Sequence, residues 1–301
     1  MFLEIKDLRK SYNNVQALKG ISFQVPKNSI FGLLGPNGAG KTTFIRILNR
    51  IISYDSGQIL FDGQPLNDSH VERIGYLPEE RGLYKKMAVG EQILYFAQLK
   101  GLSKQQAYKK ARQLLQHFEM LGWWNKKVEE LSKGMQQKVQ FVITIIHDPD
   151  LLIFDEPFSG FDPINQKLLK EEILKLQQRG KTILFSTHNM ASVEELCDSI
   201  VLINQGQIIL QGKIDDIKQQ FKQNIYTIKF QNPDVQLPEN QNFQIINRRN
   251  STFTVKILNG SANDLLNYAT QFGNIILFEE KLPTLDEIFI SAVKNHKTSE
   301  Q

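Results

Sequence analysis

The feature that most constrains this chain is a glycine-rich segment, GPNGAGKTT, near its amino-terminal end. An apolar run at residues 29–34 precedes it and a run with helical spacing at residues 43–51 follows it. A phosphate-binding loop requires this strand–loop–helix setting. Glycines let the backbone wrap around phosphate oxygens, so that N–H groups point inward at the positive end of a helix.

We therefore predict a nucleotide phosphate site at this loop. Lys41 is expected to reach the β- and γ-phosphates, and the Thr42 hydroxyl is expected to take a Mg²⁺ position. The residues predicted to contact the phosphates are Gly35, Pro36, Asn37, Gly38, Ala39, Gly40, Lys41, Thr42 and Thr43.

An acidic pair, Asp155 and Glu156, follows the apolar run LLIF. A buried strand that ends in two carboxylates can supply one ligand for Mg²⁺ and one group that polarises an attacking water. The same pattern also describes a strand that simply ends in surface acids. Together with the phosphate loop, the pair favours nucleotide hydrolysis and predicts Asp155 as the metal ligand and Glu156 as the catalytic carboxylate.

The order of predicted elements indicates an α/β fold in the first part of the chain. Strand-like and helical runs alternate, which points to a mostly parallel sheet covered on both faces. Residues 88–148 read as a helical insert, with a capping-box signal at Ser103 and Gln106, and a further helix is predicted to open at Ser192. After residue 218 the segment QNPDVQLPENQNFQ reads as turns or a linker among short strand-like runs. We predict two domains, residues 1–218 and a small α+β domain at residues 219–301.

Composition argues against nucleic-acid binding, a disulfide framework and membrane-spanning helices. The net charge of +4 over 301 residues is small and does not by itself indicate nucleic-acid binding. The single cysteine, Cys197, permits no internal disulfide and lies in an amphipathic run where a buried core thiol is expected rather than a reactive one. No apolar run approaches the ~20 residues that a membrane-spanning helix needs. We expect any membrane role to depend on a partner.

Further motifs make the chain resemble the ATP-binding cassette family over residues 1–217. The segment LSKGMQQ at residues 131–137 resembles the family signature, and FSGFD at residues 158–162 resembles the loop that communicates across the family's dimer. His188 ends the segment STH, where the family histidine contacts the γ-phosphate and the attacking water. The resemblance implies a phosphate-loop cassette with a helical signature subdomain, catalytic roles for Glu156 and His188, and ATP and Mg²⁺ as the bound species.

The resemblance also implies nucleotide contacts outside the phosphate loop. Ser132, Gly134 and Met135 would meet the γ-phosphate of ATP bound to a second copy, whereas from the residues alone Ser132 reads as an ordinary helix N-cap. The aromatic ring of Tyr12 would stack on adenine. Asp162 belongs to the same predicted set.

Three residues depart from the family pattern. Glu79, in GYLPEERGLY, stands where the family usually has a glutamine that senses Mg²⁺, and it is predicted here as a metal contact because a carboxylate is also a hard oxygen ligand. Lys133 and Met135 replace the usual Gly and Gln of the signature. Since Ser132 and Gly134 are kept, we expect activity to be retained.

The function that the resemblance implies is an ATP-hydrolysing subunit of a transporter, with export favoured over import. Its expected partners are a second copy, arranged head to tail, and a separate polytopic permease, which would hold the chain at the cytoplasmic face of the cell membrane. No nucleic-acid partner is expected. A soluble mechanical ATPase acting on nucleic acid or ribosomes is the alternative, and a regulatory module without turnover is a third reading that Glu156 and His188 weaken.

Overall fold

The computed structural model describes residues 1–80 and 82–299, and the chain divides into two compact units after Ile214. The sequence predicts this limit at residue 218, four residues later. The strands of the first unit are β1 (Leu3–Tyr12), β2 (Val15–Val25), β3 (Ile30–Leu34), β4 (Ser56–Phe61), β5 (Gln64–Pro65), β6 (Ile74–Leu77), β7 (Leu151–Asp155), β8 (Thr182–Ser186), β9 (Ser199–Asn204) and β10 (Gln207–Lys213). Its helices are α1 (Lys41–Leu48), α2 (Val89–Leu99), α3 (Lys104–His117), α4 (Lys133–Ile145), α5 (Pro163–Gln178) and α6 (Met190–Leu196).

A six-stranded sheet with the order β10-β9-β3-β8-β7-β6 forms the centre of this unit. All neighbouring pairs are parallel except β9 and β10. Since β8 lies between β3 and β7, the loops that leave the carboxyl ends of these three strands meet at one edge. Ligands bind at such an edge in parallel α/β sheets.

The hydrophobic core of the unit lies between this sheet and a second, antiparallel sheet of order β2-β1-β4-β5. Helix α1 fills the space between the sheets with Phe44, Ile45, Ile47 and Leu48, which are all buried. Because side chains alternate across a strand, the other face of the parallel sheet is covered separately. There the rings of Phe141 in α4 and Phe154 in β7 lie 5.6 Å apart.

Helices α2, α3 and α4 form the predicted helical insert. The capping box at α3 is present as expected, because Gln106 N donates to the Ser103 hydroxyl at 3.3 Å and Ser103 N donates to the Gln106 side chain at 3.0 Å. One correction concerns α6, which begins at Met190 and not at Ser192. The side chain of Asn189 caps it by accepting from Ser192 N at 3.0 Å.

The second unit contains α7 (Ile214–Gln220), which begins at the limit between the units, then β11 (Ile225–Phe230), β12 (Phe243–Arg249), β13 (Thr252–Ile257), α8 (Ala262–Thr270), β14 (Ile275–Glu280) and α9 (Leu285–Ser299). Its four strands form an antiparallel sheet of order β12-β13-β11-β14, and α8 contributes Leu265 and Ala269 to its core. The segment that read as turns or a linker is a packed loop here. Val235 and Leu237 are buried in the same core, and β12 begins at the segment's end.

Candidate nucleotide site

The phosphate loop follows β3, and its glycines have backbone conformations that side chains disfavour. Gly35 has φ 150° and Gly40 has φ 112°. A Cβ at Gly35 would lie 2.2 Å from the carbonyl oxygen of Ile203, and one at Gly40 would lie 2.7 Å from that of Ala17. The loop is therefore pressed against β9 and β2 at these two points, and only glycine permits the approach.

Helix α1 begins at Lys41 with Gly40 as its N-cap residue, so no cap side chain occupies the space before the first N–H groups. Those groups and the helix dipole favour an anion at this end. Ala39 N donates to Pro36 O at 3.2 Å, which closes the loop in front of the helix. The geometry suits a phosphate.

The Lys41 ammonium turns back over this loop. It donates to Gly35 O at 2.6 Å and to Pro36 O at 3.1 Å. Burial lowers the pKa of Lys41, while Asp155, Glu156 and Glu79 act in the opposite direction. Lys41 is therefore held at the mouth of the loop by carbonyl oxygens that a phosphate oxygen can replace.

Asp155 is the last residue of β7 and is buried. Burial raises the pKa of its carboxyl, and the nearby charges of Glu79 and Glu156 raise it further. Burial together with Asp155 also raises the pKa of Tyr76 to about 12. Of the two predicted metal carboxylates, Glu79 thus acts on Asp155 although the Glu79 side chain is exposed.

Glu156 is held by hydrogen bonds to the residues that follow β8. Its own N–H donates to Ser186 O at 2.8 Å, and its backbone has a positive φ of 49°. One carboxylate oxygen accepts from the Thr187 hydroxyl at 2.9 Å, and the other accepts from His188 N at 2.8 Å and lies 2.7 Å from the His188 ring Nδ1. The carboxylate is largely buried, whereas the His188 ring is 80% exposed. The pair is therefore a fixed carboxylate with a histidine open to a ligand.

Tyr12 ends β1, and its ring is 42% exposed beneath the ammonium of Lys10, 5.6 Å from the ring centroid. Tyr12 pairs with Val15 at the start of β2, and Ala17 in that strand touches the loop at Gly40. Two residues of strand span roughly 7 Å. Tyr12 is thus an exposed ring within a nucleotide's length of the phosphate loop.

The signature segment lies on a different element. Ser132 is the N-cap of α4 and accepts from Met135 N at 3.3 Å, while the nearest neighbour of a Cβ at Gly134 would be the Phe161 ring at 3.7 Å. A first turn with a serine cap and a glycine can present donors to an anion. The signature residues lie next to the loop that contains Phe161. Within the described residues, no hydrogen bond joins them to the phosphate loop of the same chain.

Asp162 caps α5, because its carboxylate accepts from Ile164 N and Asn165 N, both at 3.0 Å. The loop before it is linked to α4, since the Gln137 side chain donates to Ser159 O. Sequence reasoning assigned Asp162 to the nucleotide and missed its structural task. The sequence DP, an N-cap residue followed by proline at N1, is the signal that could have revealed it.

Known proteins similar to this chain identify its family. A family model described as ABC transporter matches residues 18–159. The Bacillus subtilis protein YhaQ, an uncharacterized ABC transporter ATP-binding protein, is 46% identical over 226 residues, which cover 75% of this chain and 76% of that protein. The chain belongs to the ABC transporter ATP-binding family. The resemblance stated from the sequence is therefore confirmed.

Other similar proteins support the same family for this ABC subunit. The linearmycin resistance ATP-binding protein LnrL of Bacillus subtilis is 34% identical over 71% of this chain and 70% of its own length. A solved ATP-binding subunit of an ABC transporter superposes with a TM-score of 0.68 at 33% identity, over 73% of this chain and 93% of that one. The predicted α/β cassette fold is confirmed. A second family model, described as the C-terminal domain of DrrA1-3-like ATP-binding proteins, matches residues 212–293.

The family binds and hydrolyses ATP. In this ABC subunit the fold brings together Lys41, Asp155, Glu156 and His188 at one sheet edge. Sequence reasoning missed Thr187, whose hydroxyl donates to the carboxylate oxygen of Glu156 that His188 does not contact. Its only signal was its place in the segment STH.

Across residues 1–80 and 82–299, no helix is both long and apolar enough to cross a membrane.

Proposed function

We propose that this chain is the subunit that hydrolyses Mg-ATP to drive export through a separate polytopic permease. The observation that carries the proposal is the Glu156 carboxylate, held between Thr187 and His188 beside Lys41 and Asp155. A fixed carboxylate next to a phosphate loop is what in-line attack by water on a γ-phosphate requires.

The chain's own residues divide the work. The loop glycines and the first turn of α1 bind the phosphates, and Lys41 exchanges its carbonyl partners for phosphate oxygens. Glu156 orients a water and accepts its proton, because its two oxygens are fixed and the histidine beside it can stabilise the charge. His188 reaches the terminal phosphate from its exposed position. Tyr12 offers an aromatic face for the adenine.

The residues also fit a magnesium ion. Among the described residues no cluster of three or more metal-binding side chains occurs, and Mg²⁺ in phosphate-transfer sites is held by one or two carboxylates together with substrate phosphates. Asp155, Thr42 and Glu79 would hold it. When bound, the ion neutralises charge on the phosphates.

Two copies are proposed to close head to tail around ATP. Ser132 and Gly134 stand at the exposed first turn of α4, away from the phosphate loop of their own chain, so a second chain would supply them to the nucleotide. Met135 and Lys133 lie in the same turn. Removal of the γ-phosphate would release this contact and open the dimer.

Export is favoured because one relative, LnrL, is named for linearmycin resistance, and moving a compound out of the cell is one way to resist it. A permease partner would hold the chain at the cytoplasmic face of the membrane.

The test is a pull-down of tagged Glu156→Gln protein from gently solubilised native membranes in Mg-ATP, with Lys41→Ala protein as the matched control. Glu156→Gln should bind ATP but hydrolyse it about 10²- to 10⁴-fold more slowly. We expect a stoichiometric polytopic protein with the first variant and less of it with the second. Recovery of only ribosomes, nucleic acid or soluble proteins would overturn the transport assignment, and normal ATP turnover by Glu156→Gln would overturn the role of Glu156.

A further inference from the structure

The helical insert carries an uneven share of the charge. Residues 84–130 contain nine of the 36 Lys and Arg residues but only four of the 32 Asp and Glu residues. This segment therefore has a net charge of +5, while the remainder of the chain has a net charge of −1. The small positive charge of the whole protein conceals one basic region.

Seven of these basic side chains are exposed, and we call them the basic face. They are Lys85, Lys86, Lys104, Lys109, Arg112, Lys126 and Lys127. Among the residues that the structure describes, no ion pair joins any of the seven to a carboxylate. Their charges are thus available to a partner.

Backbone pairing gathers the four lysines at the ends of the segment. The chain at residues 85–89 runs antiparallel to residues 126–129, with Glu129 N donating to Lys85 O at 2.9 Å and Val128 N donating to Met87 O at 3.1 Å. An isolated bridge between Ala88 and Lys127 completes the pairing. Lys85 and Lys86 therefore lie beside Lys126 and Lys127.

Trp124 packs α3 against the paired segments at residues 85–89 and 126–129. Its indole ring covers the backbone of Gly90, where an added Cβ would lie 2.4 Å from the ring. The Tyr108 ring meets Trp124 at 5.4 Å and the Arg112 guanidinium lies 5.7 Å from its centroid. Since Lys104, Tyr108 and Arg112 are spaced by four residues, they form one stripe on the helix. The stripe continues the surface that the paired segments begin.

Exposed aromatic and aliphatic side chains are interleaved with these charges. Tyr84, Tyr95, Leu99 and Tyr108 are all exposed, and the Tyr84 ring lies 6.0 Å from that of Tyr95. Tyr rings and long cationic side chains are the residues that settle at the headgroup level of a bilayer.

We infer that the basic face binds the anionic headgroups of a phospholipid membrane directly. The charge is complementary to an anionic leaflet, and the interleaved rings suit its polar–apolar boundary. The inference rests on the proposed function, which brings the chain to a membrane, but it adds a contact that does not pass through the permease. Four acidic residues, Glu91, Glu119, Glu129 and Glu130, reduce the net charge of the segment. Because the seven cations are exposed, salt should screen their attraction to the membrane.

The experiment uses the purified full chain without any permease. Flotation is measured with vesicles of phosphatidylcholine alone and with vesicles containing 30% phosphatidylserine, at about 50 and about 500 mM KCl, the range over which screening becomes severe. We expect binding to the anionic vesicles only, and loss of that binding at high salt. Equal binding to both vesicles, or binding to neither, would overturn the inference.

Variants locate the contact. Each cation near an anionic surface strengthens binding by about fivefold, so the triple variant Lys104→Gln, Lys109→Gln, Arg112→Gln should bind about 100-fold more weakly. The control replaces three exposed lysines elsewhere, Lys167→Gln, Lys213→Gln and Lys229→Gln, and should retain most of the binding. ATP turnover in both variants should equal that of the parent, which also reports correct folding. If the two variants lost binding equally, the assignment to this face would be wrong.

Duplex DNA of the same total phosphate concentration is the competitor. Displacement of the protein from anionic vesicles by DNA at physiological salt would reassign the basic face to nucleic acid and overturn the lipid inference. Loss of ATP turnover by Glu156→Gln, measured on the same preparations, tests the proposed function separately from this contact.

Discussion

Two glycines of the phosphate loop, replaced one at a time by alanine, test whether the loop is held in shape by its close approach to β9. Gly35 and Gly38 both have positive φ, at 150° and 79°. They differ in surroundings. A Cβ at Gly35 would lie 2.2 Å from Ile203 O, whereas a Cβ at Gly38 would meet nothing within 4 Å.

The expected magnitudes follow from this difference. Ordinary contacts of a Cβ begin near 3.4 Å, so the oxygen of Ile203 would have to retreat by about 1 Å. Ile203 is buried and paired with β10, which makes that shift difficult. Overpacking of this kind costs about 1–3 kcal/mol, and the backbone strain adds about 1–3 kcal/mol. Gly38→Ala carries the strain alone, about 1–2 kcal/mol.

Thermal unfolding without nucleotide measures the change in Tm caused by Gly35→Ala and by Gly38→Ala. In a unit of this size, 1 kcal/mol corresponds to about 2–4 °C in Tm. We expect a fall of about 8–16 °C for Gly35→Ala, taking a central cost of about 4 kcal/mol, and of about 3–6 °C for Gly38→Ala, taking a central cost of about 1.5 kcal/mol. Equal losses, or a larger loss for Gly38→Ala, would refute the reasoning, because strain and not contact with β9 would then control the loop.

Three further predictions concern single side chains. Burial raises the pKa of Asp155 in the folded chain above its value in the unfolded chain. Between these two pKa values the folded chain therefore binds more protons than the unfolded one. At higher pH the charged, buried carboxylate destabilises the folded state. Asp155→Asn should raise Tm at pH 7 relative to the parent, and the difference should vanish below the unfolded pKa of ~4; a lower Tm at pH 7 would contradict this. Glu79→Gln removes a carboxylate that acts on Lys41 and should strengthen ATP binding in EDTA about three- to tenfold, measured with a fluorescent nucleotide, while the exposed neighbour Glu80→Gln should change it little. Burial strongly raises the pKa of the Cys197 thiol, so a thiol reagent should label no cysteine in the native protein and one after denaturation; labelling at a similar rate in both states would make Cys197 reactive.

Local chemistry made much of the site predictable from the sequence. The phosphate loop needs its glycines, lysine and threonine in one short segment, and the acidic pair needs an apolar strand before it. The capping box at Ser103 is likewise a local pattern, and it formed as predicted. These features depend on neighbours within a few residues of one another.

Features that depend on strand order were not predictable in the same way. Thr187 can hold Glu156 only because β8 lies beside β7, and Gly35 meets Ile203 only because β9 lies beside β3. No spacing in the sequence specifies these neighbours. The loop before β12 has the turns that its Asn, Gln and Pro residues predict, but the burial of its two apolar side chains, Val235 and Leu237, depends on the sheet that covers them.

The charges at the sheet edge support the proposal that this site binds a nucleotide together with a divalent cation. Lys41 is the cation that Asp155, Glu156 and Glu79 all influence, so these four groups carry a negative excess when all are ionised. Burial weakens the charged forms of both Lys41 and Asp155, which leaves neither fully compensated in the nucleotide-free chain. An anionic nucleotide alone would attract Lys41 but be repelled by the carboxylates. A cation alone would attract the carboxylates but be repelled by Lys41. Binding both at once compensates every group, and the extra carboxylate of Glu79 sharpens that requirement in this chain.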